Sequence, residues 1–521
     1  MTGDPVVSRP DGIVKDSSSR LVSPAFIGRQ AQLTELAGAF AAARRGEPAT
    51  VLFGGEAGAG KSRLTTEFAG QARALGARVL IGSCLQLGAE GAPFTPFTDV
   101  MRDLTRADGA AAVTELLDGE AGEISRLLPE LGAPGPTPAE PADPGAGAGP
   151  AAGRGRLFGQ VLTLLGRLGG QGPVVLAVED LHWASPSTRD LLEFLVSRQQ
   201  ALPGVLIIGT FRSDELHRTH PLRPLLAGLT RQAWVQRAEL PPLTRHETAG
   251  LLAAILGCEP EPARVDSVFS RSGGNPLYAE ELLGCGDVRP PSLRQLLLAR
   301  AQRLPTATQE VLRIAGAAGE SAGPALLGAV SGLGDDDLAR VLRPAVAGNL
   351  LVAGAGGYAF RHALIREAMY EDLLPGERST VHAQFAAAIA ADESRAGGQA
   401  TCQLAHHWYA AHDLSHALAS AWRAAAEAAR VFGYAEQLAM LARVSELWDT
   451  VPGAAELIGT SHDQLLEQAA RVAQLLGQDK RARALISAAL REIDPAAEPG
   501  RVAALLDMRS RLSPAPRQRR A

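Results

Sequence analysis

Lysine is nearly missing from this chain: among 521 residues it stands only at Lys15, Lys61 and Lys480, and arginine supplies the remaining positive charge. Such a bias reflects genome composition more than function. Aromatic residues are scarce at 4%, so the core has to be built from Leu, Ala and Val, which favours helices packed closely through small residues. The four cysteines (Cys84, Cys258, Cys285, Cys402) are far apart and show no C-x-x-C spacing. With no secretory leader at the N-terminus, free thiols in a reducing, cytoplasmic compartment are expected. No stretch reaches the ~18 uninterrupted apolar residues of a membrane-spanning helix. A net charge of −5 gives no overall pull towards nucleic acid or an anionic membrane.

What is present points to several domains, since a core rarely extends beyond about 200 residues. Residues 1–24 are polar and read as a disordered leader. Between 25 and 240, short apolar runs alternate with helical patterns: Ala49–Phe53, Arg78–Gly82, Val174–Val178 and Val205–Gly209. That alternation predicts an α/β domain with a parallel sheet. Residues 132–155 are almost wholly Pro, Gly, Ala and acidic, and read as a disordered insertion in it. Residues 241–301 read as a small helical lid. Residues 302–390 mix helices with a hairpin-like stretch, Leu350–Val352 and Tyr358–Phe360, compatible with a winged helix. The alanine-rich 400–512 region reads as a solenoid of tetratricopeptide-like (TPR-like) helical repeats, with Trp408, Trp422 and Trp448 on apolar faces. A basic tail, 513–521, ends the chain.

The chemistry concentrates in one motif. Gly55-Glu56-Ala57-Gly58-Ala59-Gly60-Lys61-Ser62 fits G-x-x-x-x-G-K-[ST], and it lies between a predicted strand and a predicted helix, as a phosphate-binding P-loop requires. Gly55, Gly58 and Gly60 let backbone amides turn inward around phosphates, and the helix aims its positive end at them. Lys61 would reach the β- and γ-phosphates of ATP, while the Ser62 hydroxyl would help hold Mg²⁺. A P-loop also needs an acidic strand end, expected on the neighbouring strand. Pro173–Asp180 supplies it, with Glu179 assigned to Mg²⁺ and Asp180 to polarising the attacking water. Glutamate in the metal position departs from the commoner aspartate, so slow ATPase turnover is expected. Arg212, ending the next strand, is placed to sense the γ-phosphate.

These residues, together with Phe26-Ile27-Gly28-Arg29, Val178-Glu179-Asp180-Leu181-His182-Trp183-Ala184, Gly273-Gly274-Asn275-Pro276-Leu277 and Phe360-Arg361-His362-Ala363-Leu364, resemble the STAND-class ATPases. Within them the pattern is similar to the large ATP-binding LuxR-type transcriptional regulators. The resemblance spans roughly residues 25–450. It implies that Gly28 and Arg29 lie near the adenine, that Pro276 closes the lid over the base, and that His362 approaches the phosphates of resting ADP. It further implies that inducer binding to the repeats and exchange of ADP for ATP open the molecule and permit self-association. Two departures stand out. Ser185 replaces the family's aspartate, so a contact near Mg²⁺ is expected to be missing. The chain also stops at a tail too short to read DNA, so DNA binding by this polypeptide alone is not expected. The leading reading is therefore an ATP/ADP-controlled signalling switch. Its alternatives are a protein-interaction module with a vestigial ATPase and a winged-helix DNA-binding AAA-like ATPase. Against the last, the wing at Ala353–Tyr358 carries no Arg or Lys.

Overall fold

The computed structural model describes residues 23–84, 91–117, 122–132, 150–284, 292–319, 321–354, 357–397 and 399–512. The first half alternates helices and strands: α1 (Gln30–Arg44), β1 (Ala49–Gly55), α2 (Lys61–Ala74), β2 (Arg78–Ser83), α3 (Thr95–Asp108), α4 (Ala110–Glu115), α5 (Pro150–Gln171), β3 (Val174–Glu179), α6 (Pro186–Ser197), β4 (Val205–Arg212), α7 (Leu222–Leu229) and β5 (Val235–Glu239). The five strands form one parallel sheet in the order β2-β3-β4-β1-β5. Side chains alternate across it, because successive residues of a strand point to opposite faces. Val51, Phe53, Val175, Ala177, Leu206 and Ile208 pack with Leu33, Leu36 and Phe40 of α1 and with Leu64 and Phe68 of α2. Leu52, Leu176, Val178 and Ile207 face the helices of the opposite layer. This is a parallel-sheet P-loop NTPase core.

The structure corrects several expectations. The acidic strand β3 is not the neighbour of β1, because β4 lies between them and pairs with both. Strand β5 carries Gln236, Arg237 and Glu239; as a half-exposed edge strand it has no continuous apolar run to reveal it. The insertion expected at 132–155 ends earlier, since residues 150–155 already belong to α5; residues 133–149 lie outside the described residues. The leader expected at 1–24 also ends early. Ser23 is buried, its N–H donating to Glu280 at 3.3 Å and its carbonyl accepting from Arg63 at 2.7 Å. Residues 1–22 and the basic tail 513–521 lie outside the described residues.

Four helices follow: α8 (Arg245–Leu256), α9 (Pro262–Ser272), α10 (Pro276–Gly284) and α11 (Leu293–Ala301). Thr244 and Glu247 cap α8 reciprocally, and Leu251, Leu252, Val265, Leu282 and Leu296 build a separate small core. Next come α12 (Thr306–Ala318), β6 (Ser321–Ala322), α13 (Pro324–Ser331), α14 (Asp335–Ala347), β7 (Leu351–Gly354), β8 (Gly357–Phe360) and α15 (Ala363–Asp372). The small antiparallel sheet runs β6-β8-β7, so three helices and a hairpin adopt the winged-helix order. Strand β6, two residues long, leaves no pattern in the sequence.

The remainder is helical: α16 (Pro375–Ala391), α17 (Ala400–Ala410), α18 (Leu414–Arg430), α19 (Tyr434–Leu447), α20 (Ala454–Ile458), α21 (His462–Leu475), α22 (Asp479–Glu492) and α23 (Pro499–Arg511). Connections as short as residues 411–413 make neighbouring helices antiparallel. Ala417, Ala421, Ala424, Ala425 and Ala428 are buried on α18, which shows how an aromatic-poor chain packs helices closely. Trp408, Trp422 and Trp448 lie half-buried against this core. The helical array docks onto the NTPase core through a polar contact: the Ser187 N–H and hydroxyl of α6 donate to the Glu436 carboxylate of α19 at 2.9 and 2.6 Å. Among the described residues, no helix is long and apolar enough to cross a membrane.

Candidate nucleotide site

The P-loop joins β1 to α2, and its glycines are there for backbone reasons. Gly58 and Gly60 have φ of 79° and 94°, a region strained for any side chain. A Cβ on Gly58 would also sit 2.9 Å from both Asn275 Oδ1 and Leu277 Cβ. Lys61, the first residue of α2, is buried and donates from Nζ to the Gly55 and Glu56 carbonyls at 2.8 and 3.0 Å. Burial lowers its pKa, while Asp180 opposes that shift. The lysine therefore lies across the loop, with a carboxylate nearby.

Glu179 ends β3 at the foot of α2. Burial and the neighbouring Asp180 push its pKa up to about 7, against hydrogen bonds from the Thr65 and Ser62 hydroxyls. A half-buried carboxylate facing two hydroxyls is a hard, all-oxygen donor set of the kind Mg²⁺ prefers. Asp180 takes a left-handed conformation at φ 56°, and its N–H donates to Thr210 Oγ1 at 3.1 Å. Burial also raises the Asp180 carboxyl, while Lys61 and Arg212 pull it back. The sheet register sets Gly55 opposite Arg212. The P-loop, both carboxylates and the arginine thus meet at the C-terminal end of the sheet, where open α/β sheets bind ligands.

Arg212 does more than face that site. Its guanidinium pairs with Glu215 and, at 3.1 Å, with Glu367 of α15, and it lies 5.1 Å from the centre of the Trp183 ring. Burial would lower its pKa, but Glu367 and Glu215 raise it further. The adjacent His182 is wholly buried, accepts the Arg212 N–H at Nδ1 over 3.4 Å, and is driven down to about 2 by burial and by Arg212. Sequence reasoning gave His182, Glu215 and Glu367 no role. Nothing local in the sequence joins residues 212 and 367.

The start of α10 touches the loop from outside. Asn275 Nδ2 donates to the Ala57 carbonyl at 2.9 Å, and the Leu277 N–H reaches the Gly58 carbonyl at 3.5 Å. Pro276 is the first residue of α10, where its missing N–H costs nothing. Arg29, left-handed at φ 64°, donates to the Ala59 carbonyl at 3.0 Å and to the Pro241 carbonyl. Its guanidinium is thus used to fasten the P-loop to the lid linker. Gly28, at φ 72°, lies against the Glu247 carboxylate of α8. His362 precedes α15 and is held neutral, down to about 3, by burial and by Arg361, Arg300 and Arg63. Because Arg63 belongs to the first turn of α2, the winged-helix region meets the phosphate-binding helix here. Ser185 caps α6, its Oγ accepting the Thr188 N–H at 3.3 Å; it occupies a capping position there.

Comparison with known proteins agrees with this geometry. The AAA ATPase domain family matches residues 25–208, so this portion is an AAA-like P-loop ATPase domain. An uncharacterized protein of Rhizobium meliloti (strain 1021) is 29% identical over 422 residues, covering 73% of this chain; the chain spans 39% of that relative's length. A solved Signal Transduction ATPase with Numerous Domains (STAND) protein with a tetratricopeptide repeat sensor, from Pyrococcus horikoshii, superposes with a TM-score of 0.53 at 14% identity. It covers 95% of this chain and 64% of its own, a likeness of fold. A Walker-type ATPase of Pyrococcus abyssi gives a TM-score of 0.33 at 14% identity, over 66% of this chain and 96% of its own.

Proposed function

We propose that the chain is a STAND-type switch related to the LuxR-type regulators, in which bound ADP or ATP sets whether the winged-helix and repeat regions stay docked on the NTPase core. The observation that carries this reading is Arg212: one guanidinium stands beside the P-loop and also holds Glu367 of the winged-helix region. A γ-phosphate competing for that guanidinium would weaken the hold, which is the differential contact a nucleotide needs to shift a conformational equilibrium.

In this reading Lys61 and the loop amides bind the phosphates, and Ser62 with Glu179 holds Mg²⁺. The ion would neutralise charge on the β- and γ-phosphates. Asp180 orients water for a slow hydrolysis that resets the switch. Gly28, Arg29 and Pro276 frame the base side, and His362 approaches the phosphates from the winged helix. The four regions that end near 240, 301, 390 and 512 act as core, lid, wing and sensor repeats of tetratricopeptide type, with self-association following opening. The inducer binds the repeats.

The test is calorimetry of the purified chain with Mg²⁺–ADP and Mg²⁺–ATP, beside Lys61→Ala. The reading expects micromolar or tighter binding that the variant loses. No binding by well-folded wild-type protein would turn the assignment to an interaction module with a vestigial site.

A further inference from the structure

A cavity of about 670 Å³ lies where the NTPase core, the winged-helix region and the first repeat helices meet. Six of the chain's 11 histidines line it. Three of them, His382 of α16 and the adjacent His406 and His407 of α17, place one ring nitrogen each within 4.8 Å of one another. We propose that these three imidazoles form a binding site for a borderline divalent transition-metal ion of the zinc class, with a fourth coordination position open to the cavity.

The ring arrangement carries the proposal. With ligand nitrogens about 2.05 Å from a tetrahedral ion, imidazole centres fall roughly 5.2 Å apart. The three ring centres here are separated by 5.4, 5.0 and 5.2 Å. His382 Nδ1 and His407 Nδ1 are 2.8 Å apart, so loading requires them to separate by roughly 0.5 Å to the N···N spacing of such an ion. His382 Nε2 lies 2.9 Å from the Tyr370 hydroxyl, the kind of partner that fixes the tautomer and orientation of a metal-ligating histidine. Phe385 stacks on His407 with ring planes 13° apart, holding that ring in place. As a structural pair, His382 and His407 would satisfy each other and Tyr370; His406, half-buried on the cavity wall, adds nothing to that pair. A third ring nitrogen within 4.8 Å of the other two is what a metal site adds to such a pair.

The site would join α16 to α17 beside α15, the helix that carries Glu367. It is independent of the nucleotide reading. The experiment is titration of the chelator-treated full chain with Co²⁺, followed by calorimetry and visible absorption. The expected result is one Co²⁺ per chain, with the visible bands of tetrahedral coordination, displaced by Zn²⁺. His406→Asn, at a half-buried position, should abolish those bands with the far-UV circular dichroism unchanged. Tyr370→Phe should weaken binding about tenfold, and His217→Asn/His220→Asn, which line the cavity from the NTPase core, should leave it unchanged. Wild-type protein without the bands, or bands unaffected by both His406→Asn and Tyr370→Phe, would overturn the site.

Discussion

At the residue scale the account rests on a few side chains that serve two regions at once. Arg212 is the foremost of them. Glu367→Gln removes the charge that holds it at 3.1 Å, leaving the guanidinium more available to a γ-phosphate. The expected outcome is a rise of about tenfold in the preference for ATP over ADP, corresponding to roughly 1.4 kcal/mol of differential interaction, read by calorimetry; an unchanged ratio would detach the pair from the switch. Gly58 offers a second test. Alanine there meets both a positive φ and the Asn275 and Leu277 side chains, so Gly58→Ala should lose about 1–3 kcal/mol of stability and most nucleotide binding, measured by denaturant unfolding and calorimetry. The P-loop residues were legible in the sequence because each meets a local demand: a turn, an anion, a helix start. Glu367 and Asn275 were not legible as partners, because their contacts are made across 155 and 218 residues of chain.

At the element scale, the strands with continuous apolar runs were readable and those without were not. Strand β5 escaped because it sits at the sheet edge with Gln236, Arg237 and Glu239 exposed or half-exposed. The start of α5 escaped for another reason. Its Gly- and Ala-rich residues read as non-structural, yet Gly153 lies under Phe432, where a Cβ would come within 2.6 Å of the ring. Packing between helices, not local propensity, holds that segment. The same layer carries the Ser187–Glu436 contact. Glu436→Ala leaves a buried N–H and a buried hydroxyl without their acceptor, a loss of about 2–3 kcal/mol. Hydrogen exchange should rise in α6 and α19 while β1 and β4 keep their protection; equal rises throughout would mean that the contact supports the whole fold and not the docking of one part.

For the whole molecule, a buried and a half-buried histidine set an acid limit. His182 and His362 are depressed to about 2 and 3, below the 6.5 of an unfolded chain. Their neutral forms therefore support the fold above pH 6.5, and that support is lost as pH falls towards the folded values. Each contributes a slope of up to about 1.4 kcal/mol per pH unit. The melting temperature should fall from pH 7 to pH 5, less steeply in His182→Gln, and a flat profile would contradict the burial of these rings. The order of a parallel-sheet core followed by a mostly helical remainder was legible because each has its own pattern. Their mutual docking was not, since it depends on side-chain contacts made only after each has folded. In the proposed switch, bound nucleotide sets this docking. It is tested most directly by light scattering and small-angle X-ray scattering of the full chain with Mg²⁺–ADP and with a non-hydrolysable ATP analogue. A compact monomer is expected with ADP and an expanded or self-associated form with the analogue, with Glu367→Gln shifted towards the latter. Identical profiles with both nucleotides, at saturating occupancy, would contradict it.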